Sequence, residues 1–180
     1  MSVLFVDVRG FTSLSEQLPP AEVVARLNRF YNLAAQAVFR LDGTLDKLVG
    51  DQVMAFFGAP FSPDDHPQRA VRAALEIVSG VEAMAQGDDA LPVGGGVGTG
   101  EAFMGNVAEG EVRDFTIIGD MVNTTARLQG AARPGEVLIT EETYRAVADY
   151  FPDATQRTLE LRGKATPVVA WVLRASPSRR

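Results

Sequence analysis

Two aspartates, Asp7 and Asp51, each border an apolar segment that is typical of a β-strand. Asp7 follows Val3-Leu4-Phe5-Val6, and Asp51 precedes Val53-Met54-Ala55-Phe56-Phe57. A carboxylate at the end of an apolar strand is costly unless it is paired, hydrogen-bonded or bound to a cation. Asp51 alone could be an ordinary turn former. Two carboxylates on neighbouring strands, however, offer the hard oxygen ligands that Mg²⁺ or Mn²⁺ prefers, so the pair predicts a divalent-metal site for a phosphate-bearing ligand.

The composition limits the classes of protein to which the chain can belong. With 180 residues, of which 46% are hydrophobic, it can bury one substantial core, and its length favours a single domain. Its net charge of -6 and pI near 4.8 argue against a nucleic-acid binder, which needs a basic surface to neutralise phosphates. An anionic ligand must therefore be held by local positive charges or by metal.

Cysteine is absent from the sequence, which excludes disulfides, zinc–thiolate sites and thiol nucleophiles. No apolar run reaches the roughly 20 residues of a membrane span, and no basic segment followed by an apolar one begins the chain. These features predict a soluble, cytoplasmic protein.

The ends of the chain are typical of a domain taken from a longer protein. The first strand begins almost at Met1, and residues 175–180 are polar and broken by proline. We expect one functional domain over residues 1–174, followed by a short polar tail at 175–180.

Strands and helices are expected to alternate along the first half of the chain. The pattern of apolar residues predicts a strand at Val3–Val8, a helix from Pro20 to Gly43, a hairpin of Thr44–Val49 and Gln52–Phe57, and a helix from Pro67 to Met84, closed by Gly87-Asp88-Asp89. Pro19-Pro20 open the first helix where a missing N–H costs least. The hairpin turn is Gly50-Asp51, which places Asp51 at a tip beside the first strand.

The second half continues in the same manner. The expected elements are a strand pair at Val93–Thr99 and Glu101–Val107, a strand at Phe115–Ile118, a helix to Leu128, a strand at Val137–Thr140, a helix at Glu141–Ala148, and strands at Thr158–Leu161 and Val168–Leu173. The order predicts an α+β fold, a ferredoxin-like βαββαβ sandwich with additional strands and helices and a mostly antiparallel central sheet.

Three other features have simple interpretations. The glycine-rich run 94–100 lacks the Lys-Ser/Thr ending of a phosphate loop, so close strand packing explains it better. Asp120 follows Gly119 and is expected to cap the next helix rather than to bind metal. His66, the only histidine, is expected in a surface loop.

Three segments resemble the class III nucleotidyl cyclase catalytic domain, the family of adenylate and guanylate cyclases. They are Val3–Thr12 around Asp7, Lys47–Gly58 around Asp51, and Phe115–Leu128, and they occur in the family's order. The resemblance extends from Val3 to about Leu173. It implies a cyclase fold and the conversion of a nucleoside triphosphate into a 3′,5′-cyclic monophosphate and pyrophosphate.

The resemblance also implies that Asp7 and Asp51 bind two Mg²⁺ or Mn²⁺ ions per active site. The ions hold the triphosphate and lower the pKa of the ribose 3′-hydroxyl, which attacks the α-phosphorus in line. This chemistry requires no protein nucleophile, and none is obvious in the sequence.

Lys47 and Thr116 match the positions that read the base. Lys47 lies four residues before Asp51, where adenylate cyclases have lysine and guanylate cyclases usually have glutamate. Because lysine only donates, it suits the N1 acceptor of adenine and opposes the N1–H of guanine, so ATP is the expected substrate. Thr116 stands where the commonest adenylate cyclases have aspartate, as in the class IIIb subgroup that bicarbonate often stimulates. Bicarbonate responsiveness is a hypothesis that follows.

Asn123 and Arg127 are four residues apart, so on a helix they project from one face and can reach the same ligand. In the family, the matching asparagine orients the ribose and the matching arginine stabilises charge at the reacting phosphate. Lys164 matches a late loop that supplies a phosphate-binding lysine in some members, although a plain surface charge is the simpler interpretation.

The separation of Lys47 from Asp51 bears on assembly. An extended chain puts them roughly 13 Å apart, which does not suit one compact site. The resemblance implies a head-to-tail homodimer with two equivalent sites, each taking the aspartates from one protomer and Lys47, Thr116, Asn123 and Arg127 from the other. Two alternatives stay open, namely a guanylate cyclase and a catalytically silent cyclase-like module that dimerises or senses a ligand.

Overall fold

The computed structural model describes residues 1–84, 91–107 and 114–174. The predicted turn Gly87-Asp88-Asp89 and the predicted tail at 175–180 lie outside the described residues. The strands are β1 (Ser2–Val8), β2 (Thr44–Val49), β3 (Gln52–Phe57), β4 (Val93–Thr99), β5 (Phe103–Val107), β6 (Asp114–Ile118), β7 (Glu136–Thr140), β8 (Thr155–Leu159) and β9 (Val168–Arg174). The helices are α1 (Phe11–Gln17), α2 (Pro20–Arg40), α3 (His66–Met84), α4 (Asp120–Ala131) and α5 (Glu141–Val147). None of these helices is long and apolar enough to cross a membrane.

Seven strands form one sheet in the order β2-β3-β1-β4-β7-β9-β8, and β5 pairs with β6 separately. Within the described part of the sheet, only β4 and β7 pair in parallel. The segment β1-α2-β2-β3-α3-β4 supplies the four adjacent strands β2-β3-β1-β4, which is the βαββαβ arrangement of a ferredoxin-like fold. The predicted α+β fold with a mostly antiparallel sheet is confirmed.

The strand alternation of β1 divides the core between the two faces of the sheet. Leu4 and Val6 pack with α2 and α3, whereas Val3 and Phe5 pack with β6 and α4 on the opposite face. Asp7 has the same parity as Val3 and Phe5 and therefore lies on the α4 face. This face carries the polar groups of the candidate site.

The glycines of β4 let α4 approach the sheet closely. A Cβ at Gly96 would lie 2.8 Å from the carbonyl oxygen of Thr125 and from the amide nitrogen of Gln129, and one at Gly98 would collide with the hydroxyl of Thr125. The glycines do allow a close approach, but at Gly96 and Gly98 the close neighbour is helix α4, so the expected close packing between strands is wrong at these two residues.

Several predicted elements differ from those observed. Glu101–Val107 was expected to pair with Val93–Thr99, but β5 pairs with β6, and β4 lies between β1 and β7. β8 begins and ends earlier than the predicted strand at Thr158–Leu161. The predicted helix at Glu141–Ala148 ends at Val147 and continues as a short 3₁₀ turn. Helix α1 was not predicted. It has no buried residue, so its sequence lacks the periodic apolar pattern by which a helix is recognised.

Candidate active site

Asp7 and Asp51 lie next to each other at one end of the neighbouring strands β1 and β3. Asp7 lies near the end of β1, and Asp51 lies in the turn between β2 and β3, as the sequence predicted. The backbone N–H of Val8 donates to the carbonyl oxygen of Asp51 at 3.3 Å, so the turn is held against the end of β1. The hydroxyl of Tyr31 on α2 also donates to this turn, at the carbonyl oxygen of Gly50. Two strands and one helix thus fix the relative positions of the aspartates.

The carboxylate of Asp7 is mostly enclosed, with 23% of its side chain exposed. Burial raises the pKa of Asp7 above its usual value; the amide of Gln129 and the guanidinium of Arg9 act in the opposite direction, and the charge of Asp51 adds to the increase. Oδ1 of Asp7 lies 3.1 Å from Nη1 of Arg9, yet this buried oxygen accepts no well-aligned hydrogen bond from the described residues. The carboxylate therefore retains an unused acceptor.

This donor set fits a divalent cation. Asp7 and Asp51 offer carboxylate oxygens, one of them buried without a hydrogen-bond partner, and such oxygens are the ligands that Mg²⁺ and Mn²⁺ prefer. Within the described ranges, no group of three or more histidine, cysteine, aspartate and glutamate side chains could hold a metal. A cation bound here would thus take its remaining ligands from water and from phosphate oxygens, as Mg²⁺ commonly does.

Helix α4 separates the polar residues into two groups. Gln129 is buried and its Oε1 accepts from Nε2 of Gln52 at 3.2 Å, on the side of the helix that faces Asp7. Arg127 and Asn123 precede Gln129 by two and six residues, which places them about 160° and about 120° around the helix axis from it. Asn123 is exposed and Arg127 is half-buried. They do not face the aspartates of their own chain.

Arg127 lies instead beside the loop between β8 and β9. A Cβ at Gly163 would lie 3.3 Å from Nη2 of Arg127, so the guanidinium packs against the backbone of that loop. The next residue, Lys164, donates from Nζ to both carboxylate oxygens of Asp120 at 2.7 and 2.6 Å. The structure thus brings Lys164, Arg127 and the first turn of α4 together.

Two interpretations from the sequence are wrong here. Gly119, not Asp120, is the N-cap of α4, no side chain caps the helix, and Asp120 is its first residue. Lys164 is not a plain surface charge, since 22% of its side chain is exposed and it forms an ion pair with Asp120.

The two predicted base-reading residues lie on different sheets. Lys47 is paired with Met54 across β2 and β3, which places it on the same face of the large sheet as Met54 and the cluster that contains Phe5. Thr116 pairs with Gly105 in the small sheet, and its neighbour Ile117 packs into that same cluster. Alternation along β6 therefore directs Thr116 away from the cluster.

His66 is not in a surface loop. It is the first residue of α3, and its Nδ1 is hydrogen-bonded to the hydroxyl of Ser2 at 2.8 Å. That hydroxyl is also 2.7 Å from the hydroxyl of Thr99. His66 therefore joins the start of α3 to β1. That it does no catalytic work stays a prediction.

Sequence reasoning did not identify the polar residues beneath Asp7. Arg9, Gln52 and Gln129 lie within the resembling segments or next to them, yet each looks like an ordinary polar residue in a loop, strand or helix. The sequence contains one indirect indication of such a partner: Asp7, a strand-terminal carboxylate that needs one, is two residues before Arg9.

Comparison with known proteins agrees with this architecture. The model of the adenylate and guanylate cyclase catalytic domain matches residues 1–175. The chain belongs to this family. Among curated relatives of this cyclase domain, adenylate cyclase 1 of Rhizobium meliloti (strain 1021) is 36% identical over 72% of the chain and 20% of its own length. The chain spans less than half the length of the curated relatives it matches.

Solved cyclases share the fold of this domain. The adenylyl cyclase CyaB from P. aeruginosa superimposes with a TM-score of 0.84 at 31% identity, covering 97% of this chain and 94% of its own. The guanylyl cyclase Cya2 superimposes with a TM-score of 0.85 at 31% identity, covering 99% and 93%. The cyclase family and fold are therefore established, while these two structures favour neither nucleobase over the other.

Proposed function

We propose that this domain is an adenylate cyclase that converts ATP into 3′,5′-cyclic AMP and pyrophosphate at sites shared between two copies of the chain. Asp7 and Asp51 hold two Mg²⁺ or Mn²⁺ ions, which neutralise the triphosphate and acidify the ribose 3′-hydroxyl when bound. Asn123 orients the ribose, and Arg127 and Lys164 hold phosphate oxygens. Lys47 and Thr116 contact the base.

The observation that carries the shared-site proposal is the division of residues around α4. Gln129 faces Asp7, while Asn123 and Arg127 project more than a quarter of a turn away from it, toward solvent and the β8–β9 loop. A helix cannot rotate within its packed contacts with Gly96 and Gly98, so these residues cannot turn to the aspartates of their own chain. A twofold-related copy supplies them instead, which gives two equivalent sites.

The residues around the phosphates suit a displacement without a protein nucleophile. Arg127 stays charged and offers a planar fork of donors that matches phosphate oxygens. Packing against Gly163 restricts its orientation, and Lys164 adds a second cation in the same place. Fixed cations of this kind stabilise charge that develops on the phosphates in the transition state.

The choice of ATP rests on Lys47. An ammonium donates and cannot accept, so it matches N1 of adenine and opposes the N1–H of guanine. GTP is the second candidate, because the guanylyl cyclase Cya2 is as similar in fold and identity as the adenylyl cyclase CyaB. Thr116 can donate or accept and so tolerates either base better than a carboxylate does.

The substrate proposal is tested by incubating the purified chain with Mn²⁺ and either ATP or GTP, and by measuring cyclic nucleotide and pyrophosphate. We expect cyclic AMP and pyrophosphate in equal amounts, with a higher kcat/KM for ATP. A higher kcat/KM for GTP would make the domain a guanylate cyclase. No product from either, in samples where dimer is present, would identify a silent module. Bicarbonate titrated at fixed pH tests the stimulation implied by Thr116.

The shared site is tested by mixing two inactive variants. Asp7→Ala lacks a metal ligand and Arg127→Ala lacks a phosphate contact, so each homodimer should be inactive. In the heterodimer, one site combines the aspartates of the Arg127→Ala chain with the arginine of the Asp7→Ala chain and keeps every wild-type group. We expect partial activity in the mixture. If the mixture stays inactive despite heterodimer formation shown by native mass spectrometry, the sites are not shared.

A further inference from the structure

Arg9 follows β1 directly, and three chain segments enclose its guanidinium. Nη1 lies 3.1 Å from Oδ1 of Asp7, and Nη2 donates to the carbonyl oxygen of Gly94 at 3.2 Å and to that of Gln129. The backbone N–H of Arg9 donates to the carbonyl oxygen of Pro92 at 2.6 Å. Both the backbone and the side chain of Arg9 are therefore fixed independently of Asp7.

The guanidinium of Arg9 occupies the space that a side chain at Gly94 would fill. A Cβ there would lie 2.7 Å from Nε and 2.8 Å from Nη2 of Arg9, and 3.1 Å from the carbonyl oxygen of Arg133. Any side chain at position 94 would thus occupy part of the volume that Arg9 fills. Gly94 is also the residue opposite Asp7 in the pairing of β1 with β4.

A polar layer continues from Arg9 beneath Asp7. The backbone carbonyl oxygen of Gln129 accepts a hydrogen bond from Nη2 of Arg9, and its side-chain Oε1 accepts one from Nε2 of Gln52. Gln129 itself is buried. Gln52 is opposite Asp7 in the pairing of β1 with β3. Asp7 thus lies next to a hydrogen-bonded layer of Arg9, Gln52 and Gln129 that connects β3, β4 and α4. Buried polar groups that are joined in this way hold one another in a single arrangement.

We propose that Arg9 is a positioning residue that holds the carboxylate of Asp7 in the orientation that binds the divalent cation. This inference rests on the proposed function, in which Asp7 is a metal ligand. A guanidinium is suited to the task because its planar donors reach acceptors in different directions, which a lysine ammonium does less rigidly. Partners behind a metal-binding carboxylate fix its orientation, and their loss typically weakens metal binding about 10- to 100-fold.

The first test measures Mn²⁺ binding directly. Free Mn²⁺ is followed by electron paramagnetic resonance while the ion is titrated into protein saturated with a non-cyclisable ATP analogue. We expect Arg9→Met to bind Mn²⁺ at least about tenfold more weakly than the wild type, and Arg9→Lys to fall between the two. Gly94→Ala should weaken binding in the same direction, because it displaces the guanidinium without removing it.

The matched control is Arg26→Met. Arg26 is a buried arginine on α2, where it pairs with Glu22 away from the aspartates. This variant removes a buried guanidinium but should leave Mn²⁺ affinity unchanged. Thermal melting of every variant shows which are folded, and Arg9→Lys and Gly94→Ala keep the test decisive if Arg9→Met unfolds.

The second test asks on which half of the shared site Arg9 acts. A heterodimer of Arg9→Met with Arg127→Ala contains one site whose aspartates come from a chain with Arg9, so its activity should match that of the Asp7→Ala with Arg127→Ala mixture. A heterodimer of Arg9→Met with Asp7→Ala contains no site in which Asp7 and Arg9 come from the same chain, and it should be no more active than Arg9→Met alone. The reverse pattern would show that Arg9 acts through α4 and would overturn the proposal.

The outcomes separate this inference from the proposed function. Equal Mn²⁺ affinity in wild type and folded Arg9 variants, or tighter binding in the variants, overturns the positioning role and leaves the metal site intact. Absence of Mn²⁺ binding in the wild type would contradict both the positioning role of Arg9 and the proposed metal site. If the mixture of Asp7→Ala and Arg127→Ala chains is inactive, the shared site is wrong. The Mn²⁺ titration then still decides whether Arg9 positions Asp7.

Discussion

Arg157 holds the carboxylate of Glu136 through two parallel hydrogen bonds, of 2.8 Å from Nη1 to Oε2 and 2.9 Å from Nη2 to Oε1. Glu136 is the first residue of β7 and its side chain is only 1% exposed. The backbone N–H of Arg133 and the guanidinium of Arg174 also donate to it. The hydrogen bonds from Arg157 are the main cause that lowers the pKa of Glu136 from 4.5 to about 2, against the opposing effect of burial.

This pair makes stability depend on pH in acid. Because the pKa is lower in the folded state, the unfolded chain binds the proton first as pH falls, so the stabilisation is complete above about pH 4.5 and is lost between there and about pH 2. It amounts to at most about 3 kcal/mol. We expect the free energy of unfolding, measured with urea, to fall over this range.

Glu136→Gln isolates that contribution. The amide cannot balance the charges of Arg157 and Arg174, so we expect a loss of up to about 3 kcal/mol at pH 7 and a smaller difference from the wild type near pH 3. The exposed Glu142 on α5 provides the control, and Glu142→Gln should change stability by less than about 0.5 kcal/mol. A deficit in Glu136→Gln that did not shrink in acid would contradict the pKa argument.

The contact between β4 and α4 predicts opposite effects at two glycines. A Cβ at Gly98 would collide with the hydroxyl of Thr125, which is itself held by donating to the carbonyl oxygen of Met121 at 2.7 Å. Gly98→Ala should therefore cost about 1–3 kcal/mol of stability. Gly130 is exposed on α4, and a Cβ there would meet no other atom within 4 Å. Gly130→Ala should therefore stabilise the protein by about 0.5–1 kcal/mol. Chemical denaturation measures both, and equal effects would refute the close-packing explanation.

The parts of the fold that the sequence predicted are those with local causes. Pro19 and Pro20 open α2, and Gly50 adopts a positive φ of 60° in the two-residue turn between β2 and β3, as that turn type requires. Asp7 was located because a carboxylate that ends an apolar strand needs a partner, and Asp51 because Gly50-Asp51 is a typical hairpin turn. Such requirements depend on near neighbours along the chain and can be read directly from it.

The parts that the sequence did not predict depend on distant residues. The pairing of β5 with β6 instead of β4 is a choice between partners of similar composition, which local pattern does not make. The contact of Lys164 with Asp120 joins residues 44 apart in the sequence. Likewise, Gln129 lies one residue beyond the predicted end of the helix at Leu128, and its role arises only when α4 packs over Asp7. The division of polar residues around α4 became visible only with the sheet in place.

Lys164 provides a test of the phosphate half of the site. If its ammonium holds phosphate oxygens, Lys164→Ala should lower kcat/KM for ATP about tenfold, while an ion pair to the 84%-exposed Asp120 should contribute no more than about 1 kcal/mol to stability. Asp120→Asn breaks the same ion pair but keeps the lysine, so it should retain most of the activity. Steady-state kinetics of both variants would contradict the phosphate role if Asp120→Asn lost as much as Lys164→Ala.

Lys47 provides the test of base selection. Lys47→Glu replaces a donor by an acceptor that opposes N1 of adenine and matches the N1–H and amino group of guanine. A hydrogen bond to a charged group contributes about 1.5–3 kcal/mol, so kcat/KM for ATP should fall roughly 10- to 100-fold and the ratio of GTP to ATP turnover should rise by at least as much.

Lys47→Gln separates charge from hydrogen-bond direction. Its amide can present either a donor or an acceptor, so the variant should lose selectivity without reversing it. Because Lys47 is on the edge strand β2, paired only with β3 in the described sheet, both variants should remain folded, which circular dichroism checks. If Lys47→Glu kept the ATP preference of the wild type, the base would be read elsewhere, and Thr116 would become the residue to vary next.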